Sequence, residues 1–215
     1  KGQTIGVVGP TGAGKSTLIR QLLREFNVTD GMIEIDGIPM QNYKIEDVRN
    51  LVGYVPQAHM LFKRSVDENI MIGNPQAPHE ALDKAVKLAD FEKDLAFLAD
   101  GMHTMVGEAG ATLSGGQKQR LSIARALIKD PEILILDDSL SAVDVKTEDT
   151  IIEHLKAFRK GKTNIIVAHR FSAVRDADVI IVLQAGKITQ RGTHDELLRE
   201  DGWYKHQYIQ QMTMR

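Results

Sequence analysis

Apolar positions along the chain follow two rhythms. Short runs with few polar interruptions recur at Ile5-Gly6-Val7-Val8, at 32–35, at 51–55, at Ile133-Leu134-Ile135-Leu136, at 164–168 and at 179–183. Runs of this length without strict alternation predict strands buried on both faces of a parallel sheet. Ala185-Gly186 predicts a turn into another strand over 187–190, closing a hairpin. Between these runs the spacing becomes helical. Leu18 with Leu22 and Ile19 with Leu23 predict a helix after the first strand, and another is expected over 117–129. Residues 79–98 read as one helix with Leu82, Ala85, Val86 and Ala89 on its inner face. Val145–Phe158 reads as another, with Ile151, Ile152, Leu155 and Phe158 inward. Residues 74–78 form a Pro-bearing linker into the helical region. Thr193 and Glu196 make a capping box for a last helix. Strands alternating with helices define an α/β chain with a mostly parallel sheet flanked by helices.

Gly9-Pro10-Thr11-Gly12-Ala13-Gly14-Lys15-Ser16, followed by Thr17, fits G-x-x-x-x-G-K-[ST] at every fixed position. It lies between a predicted strand and a predicted helix, the context this phosphate-binding loop requires. Glycines leave no Cβ between the backbone and a phosphate, and the loop N–H groups and positive helix end face the anion. Lys15 is expected on the β- and γ-phosphates, and the Ser16 hydroxyl on Mg²⁺.

Two adjacent acids, Asp137 and Asp138, close the run 133–136. Asp137 falls at the C-terminal end of a buried strand, where ligands bind in open α/β folds. In loops of this kind an aspartate here holds Mg²⁺ together with the loop Ser/Thr. Taken alone, Asp137 would equally suit a turn or a helix cap, since Ser139, Ser141 and Asp144 follow.

Leu113-Ser114-Gly115-Gly116-Gln117, continuing through Lys118-Gln119-Arg120, completes the set, and the chain resembles the nucleotide-binding domain of an ABC transporter. The resemblance runs over nearly all of it. It takes in Gln57 after Tyr54-Val55-Pro56, the segment Ser141-Ala142-Val143-Asp144, and His169 after Asn164-Ile165-Ile166-Val167-Ala168. It implies a P-loop core over 1–57 and 126–215, an inserted helical subdomain over about 58–125, and a small antiparallel β part truncated at the N-terminus. It also implies two domains pairing head to tail around two ATP molecules. Ser114, Gly115, Gly116 and Gln117 would then contact the partner's γ-phosphate. Gln57 would contact Mg²⁺ or the attacking water, His169 the γ-phosphate, and Asp144 would couple the two sites. N-capping roles for Ser114 and Asp144 are compatible with these.

Most members of that family carry a glutamate where this chain has Asp138. The carboxylate is then retracted by about 1.5 Å, one C–C bond. A misplacement near 1 Å costs about a hundredfold in rate, and loss of a general base about 10² to 10⁴. The expectation is a cleft that binds ATP well and hydrolyses it slowly, paired with a non-identical subunit that supplies the glutamate. The alternatives are a homodimer in which Asp138 works as the base, and a soluble ABC ATPase outside transport.

Ser65-Val66-Asp67-Glu68-Asn69-Ile70, Thr104-Met105-Val106-Gly107-Glu108-Ala109-Gly110 and Arg191-Gly192-Thr193-His194-Asp195-Glu196-Leu197-Leu198 resemble exporter elements, Ala109 being a small departure. The resemblance implies that Glu108 bonds to a transmembrane-domain helix and that the domain works at the cytoplasmic face of a membrane, in multidrug-type export. The chain begins at Lys1 on the strand entering the loop. Membrane helices and an adenine-stacking aromatic are expected upstream of it. The net charge of −2 gives no electrostatic footprint for nucleic acid. There is no cysteine for a disulfide or thiolate site. His59, His79, His103, His154, His194 and His206 show no metal spacing and are expected at the surface. The transported substrate is not encoded here.

Overall fold

The computed structural model describes residues 1–213. β1 (Thr4–Val8) leads through the glycine loop into α1 (Lys15–Leu22). A short hairpin follows, β2 (Glu34–Ile35) and β3 (Ile38–Pro39), then α2 (Ile45–Leu51) and β4 (Val52–Val55). α3 (Val66–Met71), α4 (His79–Leu88), α5 (Glu92–Leu95) and α6 (Gly115–Leu127) come before β5 (Ile133–Asp137). The remainder is α7 (Val145–Phe158), β6 (Thr163–Val167), β7 (Val179–Gln184), β8 (Lys187–Gly192), α8 (His194–Arg199) and α9 (Trp203–Thr213).

The main sheet has the order β4-β5-β6-β1-β7-β8. Its strands are parallel except for the antiparallel pair β7 and β8. Alternate side chains of the central strands feed two cores. Val7, Ile135 and Val167 point to one face, where Ile19 and Leu23 cover them. Val8, Leu134, Leu136, Ile166 and Val182 point to the other, beneath α6, α7 and the C-terminal helices. Burial on both faces is why these strands read as unbroken apolar runs.

Register places the working edge. Val7 pairs with Val167, and Val167 with Asp137. The residues after β1, β5 and β6 therefore leave the sheet side by side, at the C-terminal edge where open α/β sheets bind ligands.

Several expectations are corrected. The helix over 79–98 is broken: α4 stops at Leu88, Asp90 turns left-handed (φ 53°), and a separate turn, α5, follows. Asp90 N–H donates to Lys87 O and Phe91 N–H to Val86 O, a Schellman end with aspartate in the usual glycine place. Phe91 is fully buried beneath it. Phe158 is not inward but 53% exposed; Arg159 takes the buried place and donates to Asn164 Oδ1 at 2.7 Å and to Pro131 O at 3.0 Å. The strand at 32–35 shrinks to Glu34–Ile35, since Asp36 and Gly37, both at positive φ, turn the chain into β3. That Asp-Gly pair is the hairpin signal in the sequence. α8 is not the last helix, because α9 packs Tyr204 beneath it. Among the described residues no helix is long and apolar enough to cross a membrane.

Candidate functional site

The glycine loop is forced by its neighbours. Gly9 sits at φ 152°, and a Cβ there would lie 2.0 Å from Leu183 O. Gly14 sits at φ 99° at the start of α1. The turn is closed by Ala13 N–H to Pro10 O (3.1 Å) and by Gly186 N–H to Ala13 O (2.9 Å). Lys15 is buried and reaches back over the loop, its Nζ donating to Gly9 O at 2.8 Å and Pro10 O at 3.0 Å. Burial pushes its pKa down, against the pull of Asp138 and Asp137.

Asp137 ends β5, buried, and accepts from Ser16 Oγ at 3.4 Å and from Tyr54 Oη at 3.4 Å. Burial raises its pKa, and the bonds from Ser16 and Tyr54 oppose the rise. The Tyr54 phenol is pushed up to about 12, by burial first and then by Asp137. Tyr54 as a carboxylate partner was not singled out in the sequence. The signal lies in its place on β4, whose Val55 pairs with Leu136 one residue before Asp137.

Asp138 takes a left-handed conformation, φ 50°. Its N–H donates to Val167 O at 2.9 Å, and its Oδ2 accepts from Gln57 Nε2 at 3.2 Å. The backbone reversal turns this carboxylate away from the course of β5 and toward Gln57. A cleft of about 340 Å³ is lined by the loop from Thr11 to Thr17, by Gln57, Asp137 and Asp138, and by Val167 and His169. His169 is exposed, and its backbone carbonyl accepts from Gln211 Nε2 at 2.7 Å.

Ser114, Gly115, Gly116, Gln117 and Asp144 do not line that cleft. Ser114 caps α6: Gln117 N–H donates to Ser114 Oγ at 3.3 Å, and Ser114 N–H to Gln117 Oε1 at 2.9 Å. The helix thus begins at Gly115, two residues earlier than expected. Beneath this end, Arg120 donates twice to Asp94 at 2.7 Å, both side chains only 8% exposed, and Gln117 Nε2 reaches the same carboxylate at 3.3 Å. Asp144 caps α7 through Thr147 N–H (3.0 Å) and Thr147 Oγ1 (2.7 Å), and these bonds hold its carboxyl down to about 2.

The histidines do not all lie at the surface. His59, His154 and His194 are half-buried, and His194 Nδ1 lies 2.8 Å from the Tyr204 hydroxyl. Among the described residues no group of three or more His, Cys, Asp or Glu is placed to hold a metal ion.

The sheet order, the glycine loop entering α1 and the acid ending β5 define a P-loop domain. The family of ABC transporters matches residues 1–141. The chain is 54% identical, over 98% of its length, to a probable multidrug resistance ABC transporter ATP-binding/permease protein, YheI, of Bacillus subtilis. It is 46% identical over 96% of its length to the multidrug resistance-like ATP-binding protein MdlA of Escherichia coli. The solved structure of a bacterial Atm1-family ABC exporter with ATP bound superposes with a TM-score of 0.95 at 40% identity over 98% of the chain. The chain belongs to the ABC transporter family. It spans 36% of YheI, 35% of MdlA and 37% of the exporter chain.

Proposed function

We propose that this chain is the ATP-binding and hydrolysing domain of a multidrug-type exporter, and that its own cleft holds Mg-ATP more readily than it hydrolyses it. In this reading 1–57 with 126–215 forms the core and 58–125 the helical subdomain. The observation that carries the reading is the meeting of Lys15, the pair Ser16 with Asp137, and the pair Gln57 with Asp138 in one cleft.

The donor set suits the ion. Magnesium is usually held by one or two carboxylates plus substrate phosphates and water, and Ser16 Oγ with Asp137 offers such a minimal oxygen set. When bound, Mg²⁺ would neutralise charge on the β- and γ-phosphates. Lys15 and the N–H groups of the loop would cradle those phosphates. Gln57 and Asp138 would orient a water, and His169 would donate to the γ-phosphate. Asp138 is one methylene short of glutamate, so the water is held less well. The outward end of α6, at Ser114, Gly115, Gly116 and Gln117, would complete the cleft of a second, non-identical ABC domain, with Asp144 between the two sites. Transmembrane domains, as in the ATP-binding/permease relatives, would belong to the same polypeptide.

A second reading, a homodimer with Asp138 as working base, is favoured by the Gln57 bond that already holds its carboxylate. Steady-state ATP turnover of the full-length protein purified alone separates the two. The expected outcome is slow wild-type turnover, raised at least about tenfold by Asp138→Glu. Brisk wild-type turnover that the glutamate leaves unchanged would make Asp138 a working base and favour the homodimer instead.

A further inference from the structure

Asp138 is held at both ends of its backbone. One tie, N–H to Val167 O, belongs to the sheet edge. The other does not. Its carbonyl accepts from Ser141 Oγ at 2.9 Å, and Ser141 Oγ accepts in turn from Gln119 Nε2 at 3.2 Å. The other end of the same amide, Gln119 Oε1, accepts from Ala142 N–H at 2.8 Å.

Gln119 is 2% exposed, three residues into α6 from Gly116. A single amide therefore spans the segment after β5 with both its donor and its acceptor. The end of α6 packs on that segment directly. A Cβ on Gly116 would come 3.2 Å from Ala142 O, and one on Gly115 3.5 Å from Ala142 Cβ.

A left-handed aspartate persists only where its surroundings fix it. We propose that Gln119, acting through the Ser141 hydroxyl, is a positioning residue for the Asp138 carboxylate. It makes the end of α6 and the chain's own cleft one mechanical unit. A shift of α6 along its axis is passed to Asp138 through two hydrogen bonds, with no contact between α6 and the cleft. The hydroxyl is the directional part. Its one proton goes to the Asp138 carbonyl because the amide facing it donates. A carboxylate at position 119 would keep the bond from Ala142 N–H yet compete for that proton.

The inference rests on the cleft being a site of ATP hydrolysis, and the experiment reads that cleft separately. The full-length transporter, assembled as it occurs, is photolabelled with 8-azido-ATP carrying the label on either the α- or the γ-phosphate. Label on this polypeptide alone is counted against time. The α label reports binding and loss of the γ label reports hydrolysis, whatever a partner subunit does.

Gln119→Glu and Ser141→Ala should leave α labelling within about twofold of wild type and slow γ-label loss about tenfold or more. Ser141→Thr, which keeps the hydroxyl, should match wild type. A role confined to folding would lower both labels together and would not be rescued by threonine. γ-label loss that is measurable in the wild type and equal in all four proteins would overturn the inference alone, whereas α label without any γ-label loss from the wild type would remove its premise of hydrolysis in this cleft and the inference with it. Absence of α label from the wild type would remove the nucleotide-site reading and the inference with it.

Discussion

The cleft and the outward end of α6 are built by opposite means. The cleft is made of chain reversals at strand ends. Gly9, Gly14 and Asp138 all take positive φ there, Gly9 pressed against Leu183 and Asp138 bonded to Val167. Polar groups from three distant stretches of sequence hydrogen-bond one another there. The end of α6 is local and regular. Ser114 and Gln117 close a capping box, and a buried ion pair braces the helix from below. Its first-turn N–H groups are among those a helix leaves without internal partners. One region gathers groups from across the chain, whereas the other is built locally and faces outward. Asp138 is the one left-handed non-glycine residue among those that line the cleft, whereas the end of α6 is regular helix from Gly115 onward.

The comparison is broken most severely at Lys15. Lys15→Ala removes the ammonium that spans the loop, and nucleotide affinity in a fluorescent-ATP titration should fall at least about a hundredfold, matching loss of a charged hydrogen bond or two. The Ser114 end should be untouched, since the Lys15 ammonium bonds within the loop. Unchanged affinity would mean that the loop N–H groups alone hold the phosphates.

Asp94→Asn attacks the other region from beneath. It leaves the Arg120 guanidinium buried without its counter-charge, which typically costs about 3–5 kcal/mol. For a domain of this size that is a fall of about 10 °C in Tm by calorimetry. A Tm within about 2 °C of wild type would mean that water already reaches the pair.

The smallest expected effect is at the cap. Ser114→Ala should cost about 1 kcal/mol of stability by urea unfolding. Fluorescent-ATP affinity in the chain's own cleft should stay within about twofold. A clear loss of affinity there would show that the link from α6 to the cleft reaches beyond Asp138 to nucleotide binding itself.

Much of this was legible in the sequence because the interactions concerned are short-range or repeat along the chain. The glycine loop, the strand leading to Asp137 and the cap at Ser114 each span a few residues, and apolar runs buried on both faces announce a parallel sheet. The break at Asp90 was missed because apolar periodicity continues across it and because aspartate, not glycine, takes the left-handed place. The inward turn of Arg159 was missed because a buried arginine is tolerable only where partners such as Asn164 and Pro131 wait for it.

What the sequence determined by itself was which groups are present: a P-loop pattern, an aspartate closing a buried strand, a second acid beside it and a capped glycine turn. The tertiary structure alone decided how they are aimed. Tyr54 meets Asp137 across 83 residues, Gln57 meets Asp138 across 81, and Gln119 meets Ser141 across 22. Such pairs leave no periodicity to read, because they exist only once strand register and helix packing have set the distances. The left-handed turn at Asp138 belongs with them. Aspartate tolerates that conformation better than most residues, and the bonds to Val167 and Ser141 hold it at this position.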